Sequence, residues 1–166
     1  MEPVNQGAAV LVDPFELAAI AAQTFPLACP ASVSAENVAA FIDAHLSQAR
    51  FAEYLADPHR AILTARYDGR IIGYAMLIRA EDANVELSKI YLLPDHHGTG
   101  AAVALLEDAL ATAVAWGADR VWLGVNQKNQ RAQRFYIKHG FRVNGTRTFQ
   151  LGDHEENDYI MVRELG

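Results

Sequence analysis

The run Asp95-His96-His97-Gly98-Thr99-Gly100-Ala101-Ala102 is where the residue types most plainly permit chemistry. It separates a stretch rich in β-branched residues from one with helical periodicity. A helix N-terminus leaves backbone N–H groups unpaired and carries a partial positive charge, a combination that attracts phosphate. The small residues Gly98, Gly100, Ala101 and Ala102 would let an anion approach the backbone. The two glycines can also adopt the positive φ values that aim successive N–H groups at one point. The same features serve equally well in a tight strand-to-helix connection that carries no ligand. Two nucleotide motifs fail on inspection. The dinucleotide fingerprint G-x-G-x-x-G meets Val103 in place of its third glycine, and Asn126 stands where an acid should end the next strand. A phosphate-binding P-loop requires Gly-Lys-Ser/Thr, which the chain does not contain.

Other candidate chemistry is weaker. The single cysteine, Cys29, excludes an internal disulfide framework and a multi-cysteine zinc site. Pro30 follows it and no histidine lies near it in sequence, so Cys29 reads as a structural thiol. His96-His97 and His154, with the acids around it, lack helix-face spacing and an HExxH or cysteine partner, so no metal is expected. Fourteen basic residues against twenty acidic ones give a net charge of −6. That disfavours nucleic acid, whose binding draws on clustered positive charge. An acidic surface suits a cationic partner, although it also serves solubility alone. With 51% apolar and 20% charged residues, the chain can build one globular domain over 1–166. No apolar run reaches membrane length, and Met1 to Leu11 lacks the pattern of a signal peptide, so a cytoplasmic protein with no membrane partner is expected.

The elements that must hold the central segment follow from pattern. Val10 to Val12 reads as a short first strand. A helix starts at Asp13 with Pro14 in its first turn, a second is capped by Ser34, and a third carries Phe51, Tyr54 and Leu55 before Pro58. Ala61 to Tyr67 and Arg70 to Leu77 are strands joined by Asp68-Gly69, a strong hairpin signal. Val85 to Leu93 is a third strand, and Gly100 to Trp116 a helix with Ala102, Leu105, Leu106, Ala109, Leu110 and Ala113 on one face. Val121 to Val125 is a short strand and Arg131 to His139 a short helix. Phe141 to Leu151 and Tyr159 to Glu164 read as strands joined by a polar loop, Gly152 to Asp158. The fold class is α/β: a mixed, mostly antiparallel central sheet with helices on its faces.

Three motifs in order resemble the GNAT superfamily of N-acetyltransferases. His97, Gly100 and Ala102 fill its Gln/Arg-x-x-Gly-x-Gly/Ala turn, with His97 in place of the usual Gln or Arg. Lys89-Ile90-Tyr91-Leu92 is similar to its cofactor-binding strand. Asn129-Gln130-Arg131-Ala132, Phe135-Tyr136 and His139-Gly140-Phe141 are similar to its N-x-x-A…F-Y…G-F region. Within the superfamily the pattern resembles bacterial spermidine/spermine N-acetyltransferases most. The carriers are Val85 to Tyr91, Val121 to Val125, Thr148 to Asp153 and Tyr159 to Met161. Asn126-Gln127 replaces a usual Trp-Glu beside the expected substrate cleft, so the acceptor does not carry over.

The resemblance implies the acyl-CoA N-acyltransferase fold, acetyl-CoA as co-substrate and a small-molecule primary amine as acceptor. It places the cofactor's arm on the backbone of Ile90, Tyr91 and Leu92, and its pyrophosphate on the amides from His97 through Gly98, Thr99, Gly100 and Ala101 to Ala102. Asn129 would contact the arm while capping its helix. Arg131, with Arg134 and Lys138 on one helix face, would meet the 3′-phosphate, unless that face is simply solvated. A primary amine has a pKa of about 10.4, so freeing its lone pair near neutral pH costs about 4–5 kcal/mol. Glu86 is the first candidate for taking that proton, with an exposed edge-strand carboxylate as the alternative. Tyr136 matches the family tyrosine that protonates the departing thiolate. Asp153, Glu155, Glu156 and Asp158 would attract a polyamine or merely solvate their loop. A non-catalytic acyl-CoA-binding module and transfer to a protein amine are the competing functions. The terminal hairpin offers an edge for a homodimer.

Overall fold

The computed structural model describes residues 2–5, 12–80 and 82–166, the first of these by backbone alone. In chain order the elements are β1 (Glu2–Asn5), α1 (Pro14–Ala28), α2 (Ala35–His45), α3 (Gln48–Ala56), β2 (Arg60–Tyr67), β3 (Arg70–Arg79) and β4 (Asn84–Leu92). There follow α4 (Ala101–Ala115), β5 (Arg120–Asn126), α5 (Gln130–Lys138), β6 (Arg142–Leu151) and β7 (His154–Glu164). The strands form one seven-stranded sheet in the order β1-β2-β3-β4-β5-β7-β6. Every pairing is antiparallel except β4 with β5.

Local chemistry explains most boundaries. Asp13, Ser34, Ser47 and Asn129 each accept a hydrogen bond from an amide in the first turn of the following helix, at 2.9–3.2 Å. Asp68 and Gly69 both take positive φ, 51° and 75°, which matches the right-handed twist of the β2–β3 hairpin. The helices cover both faces of the sheet. On one face α4 packs Leu105, Leu106, Ala109 and Ala113 against β2 to β5, and Ala132, Phe135 and Tyr136 of α5 lie on the same core. On the other, α1 to α3 bury Leu17, Phe25, Val38 and Phe51 against Ile62, Tyr74 and Met76. Among the described residues no helix is long and apolar enough to cross a membrane.

Of the short strand expected at Val10 to Val12, residues 10 and 11 lie outside the described residues, and the strand at Glu2–Asn5 was not foreseen. The polar loop expected from Gly152 to Asp158 is instead a two-residue turn, Gly152-Asp153, followed directly by β7. Its alternation is concealed because the inward residues are acids: Glu156 and Asp158 are buried, while Glu155 and Asn157, which alternate with them, are exposed.

Candidate active site

β4 and β5 pair only where they start, Asn84 to Glu86 against Arg120 to Trp122. Beyond that rung β4 continues with β3 alone and β5 with β7 alone. Ser88 is the extra residue of a β-bulge, because Leu87 faces Leu77 while Lys89 faces Met76. A bulge bends its strand and sharpens the twist, and this one falls where the two strands part. The gap opens into a cavity of about 920 Å³, lined by Val103, Ala132 and Phe135 from one face of the sheet and by Phe25, Cys29 and Phe41 from the other. The cavity therefore passes through the sheet. From Leu87 to Leu92 the β4 edge facing it has no strand partner among the described residues, and its backbone groups, apart from the Leu92 carbonyl that the His97 ring meets, are open to an extended ligand.

The turn below this edge leaves backbone amides without partners in the helix. Gly98 and Gly100 have φ of 81° and 87°, values that any side chain would strain. The first bond of the α4 ladder runs from the Ala104 N–H to the Gly100 carbonyl at 3.0 Å, so the amides of Ala101, Ala102 and Val103 precede it. α4 has neither a side-chain cap nor an acid in its first turn. The His97 ring nitrogen Nε2 lies 3.0 Å from the Leu92 carbonyl, tying the turn to the end of β4, and the Thr99 hydroxyl donates to the His96 carbonyl at 2.6 Å. Both side chains thus shape the turn, Ala101 is buried in the core, and the backbone is left to face a ligand.

α5 closes the same face of the cavity. Asn129 caps it through Ala132, and Arg131, Arg134 and Lys138 are exposed, with Arg131 at the cavity lip. Tyr136 packs between Phe135 and Phe141, at ring-centroid distances of 5.5 and 5.7 Å. Burial holds its phenol well above the ordinary range, so it stays a neutral O–H donor. Among the described residues that hydroxyl has no hydrogen-bond partner.

The opposite face carries the charges. Glu86, Lys89 and Tyr91 line it from β4, Arg147 and Phe149 from β6, and Glu156 and Asp158 from β7. Phe41 stacks on Phe25 at 4.7 Å and meets Phe149 at 5.6 Å, giving an aromatic wall. Glu156 accepts from Asn126 at 3.0 Å and lies 2.6 Å from the His154 ring and 3.5 Å from Lys128 Nζ. The hydrogen bonds from Asn126 and His154 hold it below the usual carboxylate range. Asp158 meets Arg147 Nε at 3.2 Å, yet burial raises its pKa. Arg147 crosses the face of Gly124, where any Cβ would collide with its guanidinium. The Cys29 thiol is pushed up to about 11 by burial and by Glu156, so it stays protonated and unreactive. Among the described residues no three His, Cys, Asp or Glu side chains gather to hold a metal.

Of the residues expected from sequence, Glu86, Ile90, Tyr91, Leu92, His97, Gly98, Gly100, Ala102, Asn129, Arg131 and Tyr136 all line this one cavity. Thr99 and Ala101 belong to its turn without lining it. From sequence, Glu156 and Asp158 read as loop residues, Lys89 and Gly124 have no role beyond the family motifs that contain them, and Arg147 carries no signal.

Lys89 supplies a stability test. Burial lowers its pKa from 10.5 to about 8, outweighing the favourable charge of Glu86. Between those values the unfolded chain holds a proton the folded one lacks, so this residue's contribution to stability rises with pH from about 8 to 10.5. Lys89→Met is expected to stabilise the fold by about 1–3 kcal/mol in urea unfolding at pH 7, an advantage that shrinks towards pH 10. An advantage that does not change with pH would contradict this reading.

The Acetyltransferase (GNAT) family matches residues 23–141. The chain belongs to this family. Over 155 residues this GNAT acetyltransferase is 72% identical to an uncharacterised N-acetyltransferase of Mycobacterium tuberculosis, covering 93% of this chain and 99% of that one. Its fold is similar to PaiA N-acetyltransferase from Thermoplasma acidophilum, solved in complex with coenzyme A (TM-score 0.83, 21% identity, 99% of each chain). It is also similar to the ribosomal-protein-S18-alanine N-acetyltransferase from Escherichia coli (TM-score 0.73, 18% identity, 99% of this chain and 95% of that one). At these identities the two structures show the shared fold alone. As a member of the GNAT family the chain is an N-acetyltransferase with acetyl-CoA as co-substrate. The unpaired β4 edge and the uncapped, acid-free start of α4 fit that molecule's extended arm and its pyrophosphate.

Proposed function

We propose that the chain acetylates a primary amine of a small molecule by direct attack within a ternary complex. The observation that carries this is a cavity passing through the sheet, with an anion-ready turn on one side and carboxylates on the other. Acetyl-CoA supplies an activated acyl group. The backbone of Ile90, Tyr91 and Leu92 holds its arm and the amides from His97 to Ala102 hold its pyrophosphate, while Asn129 and Arg131 flank it from α5. Tyr136 donates its phenolic proton to the leaving sulfur. A carboxylate of the opposite wall accepts the ammonium proton, and Glu86, Glu156 and Asp158 are the three that the cavity offers.

A polyamine is the first acceptor to try. The sequence resembles spermidine/spermine N-acetyltransferases, and acids line the acceptor wall. Acetyl-CoA turnover measured by thiol release, with spermidine, amino acids, aminoglycosides and an S18-derived peptide as acceptors, tests the reading. Acetylated small amine is the expected product. Coenzyme binding without transfer would point to a binding module, and peptide acetylation alone to a protein acceptor. β6, from the terminal hairpin, is one of the two outer strands of the sheet, and we place a homodimer contact on that edge.

A further inference from the structure

The three carboxylates of the acceptor wall have different surroundings. Glu156 is saturated by Asn126, His154 and Lys128, which favour its charged form and make it a poor proton acceptor. Glu86 stands on the last paired rung of β4, and the ammonium of Lys89 feels its charge. Asp158 is buried, bonds Arg147 through Oδ2 alone, and has no partner for Oδ1 among the described residues. It lines the same cavity as Tyr91 and Tyr136.

Resting on the transferase reading above, we infer that Asp158 Oδ1 is the atom that anchors the acceptor's ammonium and takes its proton, with Arg147 as the positioning residue. The ammonium N–H proton passes to the carboxylate, and the freed nitrogen lone pair bonds the thioester carbonyl carbon. The C–S bond breaks, and sulfur leaves with its electron pair and takes the Tyr136 proton. The surplus proton on the new amide nitrogen restores Tyr136, and Asp158 returns its own to water. The net change is thioester plus ammonium to amide, thiol and one proton. The ionisable groups lining the cavity with Asp158 are Arg147 on β6, Glu156 on its own strand, Glu86, Lys89 and Tyr91 on β4, His97 before α4, Arg131 and Tyr136 on α5, and Cys29 at the end of α1. Gly124 completes the arrangement, because a Cβ there would push the Arg147 guanidinium away from its present position.

The test is a pH–rate profile for transfer from saturating acetyl-CoA to spermidine, phenethylamine and the amino terminus of glycylalanine. Asp158→Asn is expected to lower kcat by about a hundredfold or more and to remove the acid limb, with coenzyme A affinity within about twofold. Glu86→Gln is expected to keep the limb. Arg147→Ala removes a cation beside the carboxyl and Gly124→Ala displaces it, so both are expected to move the acid limb to higher pH. Should Asp158→Asn fail to fold, those two variants decide: an unmoved limb overturns the assignment. Loss of the limb in Glu86→Gln, with Asp158→Asn active, overturns it as well. If the parent chain acetylates none of these amines, the small-amine reading falls and this inference with it.

Discussion

Replacing Tyr136 by Phe is expected to lower kcat by about two to four orders of magnitude and to leave coenzyme A affinity within about twofold. The ring keeps its packing against Phe135 and Phe141, so the substitution removes one oxygen and no core contact. That oxygen has no protein partner among the described residues, so no buried donor or acceptor is orphaned and the melting temperature is expected to hold. What disappears is a proton donor whose pKa burial has raised, a group protonated throughout the working pH range. Steady-state kinetics beside isothermal titration with coenzyme A read the two quantities separately. A folded variant with unchanged turnover would remove Tyr136 from the mechanism, and an equal loss in binding and turnover would make it a binding residue instead.

Ala102→Glu is expected to move stability and binding in opposite directions. α4 opens without an acid in its first turn, so a carboxylate there meets the positive end of the helix and is worth about 0.3–1 kcal/mol to the fold. The same charge would stand among the amides ascribed to the pyrophosphate. Losing charge-assisted hydrogen bonds worth about 1.5–3 kcal/mol there weakens coenzyme A binding by about ten- to a hundredfold. Thermal unfolding and calorimetric titration of one preparation give both numbers. A variant that is no less stable yet binds coenzyme A as tightly as the parent would place the pyrophosphate elsewhere.

These expectations rest on features of unequal visibility in the chain. Helix starts were legible because Asp13, Ser34 and Asn129 state their function locally, through a side chain that reaches an amide two or three residues on. The Asp68-Gly69 turn is legible for the same reason, and so is the glycine-bearing start of α4. Strand order was not, and with it the parting of β4 from β5: Ser88 carries no mark of a bulge, which arises from pairing with β3. The acceptor wall was hidden by its own composition. Glu156 and Asp158 look like a solvated loop until β6 pairs with β7 and turns alternate residues inward. Gly124 and Arg147 are far apart in the chain, and nothing local links a glycine in one strand to a guanidinium crossing it from another. His154 and Lys128, the ionic partners of Glu156, likewise converge on it only in the folded sheet.

The most direct measurement is a crystal structure of the chain with coenzyme A and an amine that it acetylates. The expected density runs the arm along the unpaired edge of β4 from Leu87 to Leu92. The pyrophosphate oxygens should lie on the amides between His97 and Ala102, with the sulfur near the Tyr136 hydroxyl and the amine on the Asp158 side of the gap. Coenzyme A bound outside the gap between β4 and β5, or an amine on the same side of the sheet as α4, would contradict the proposed passage of one acetyl group through the sheet.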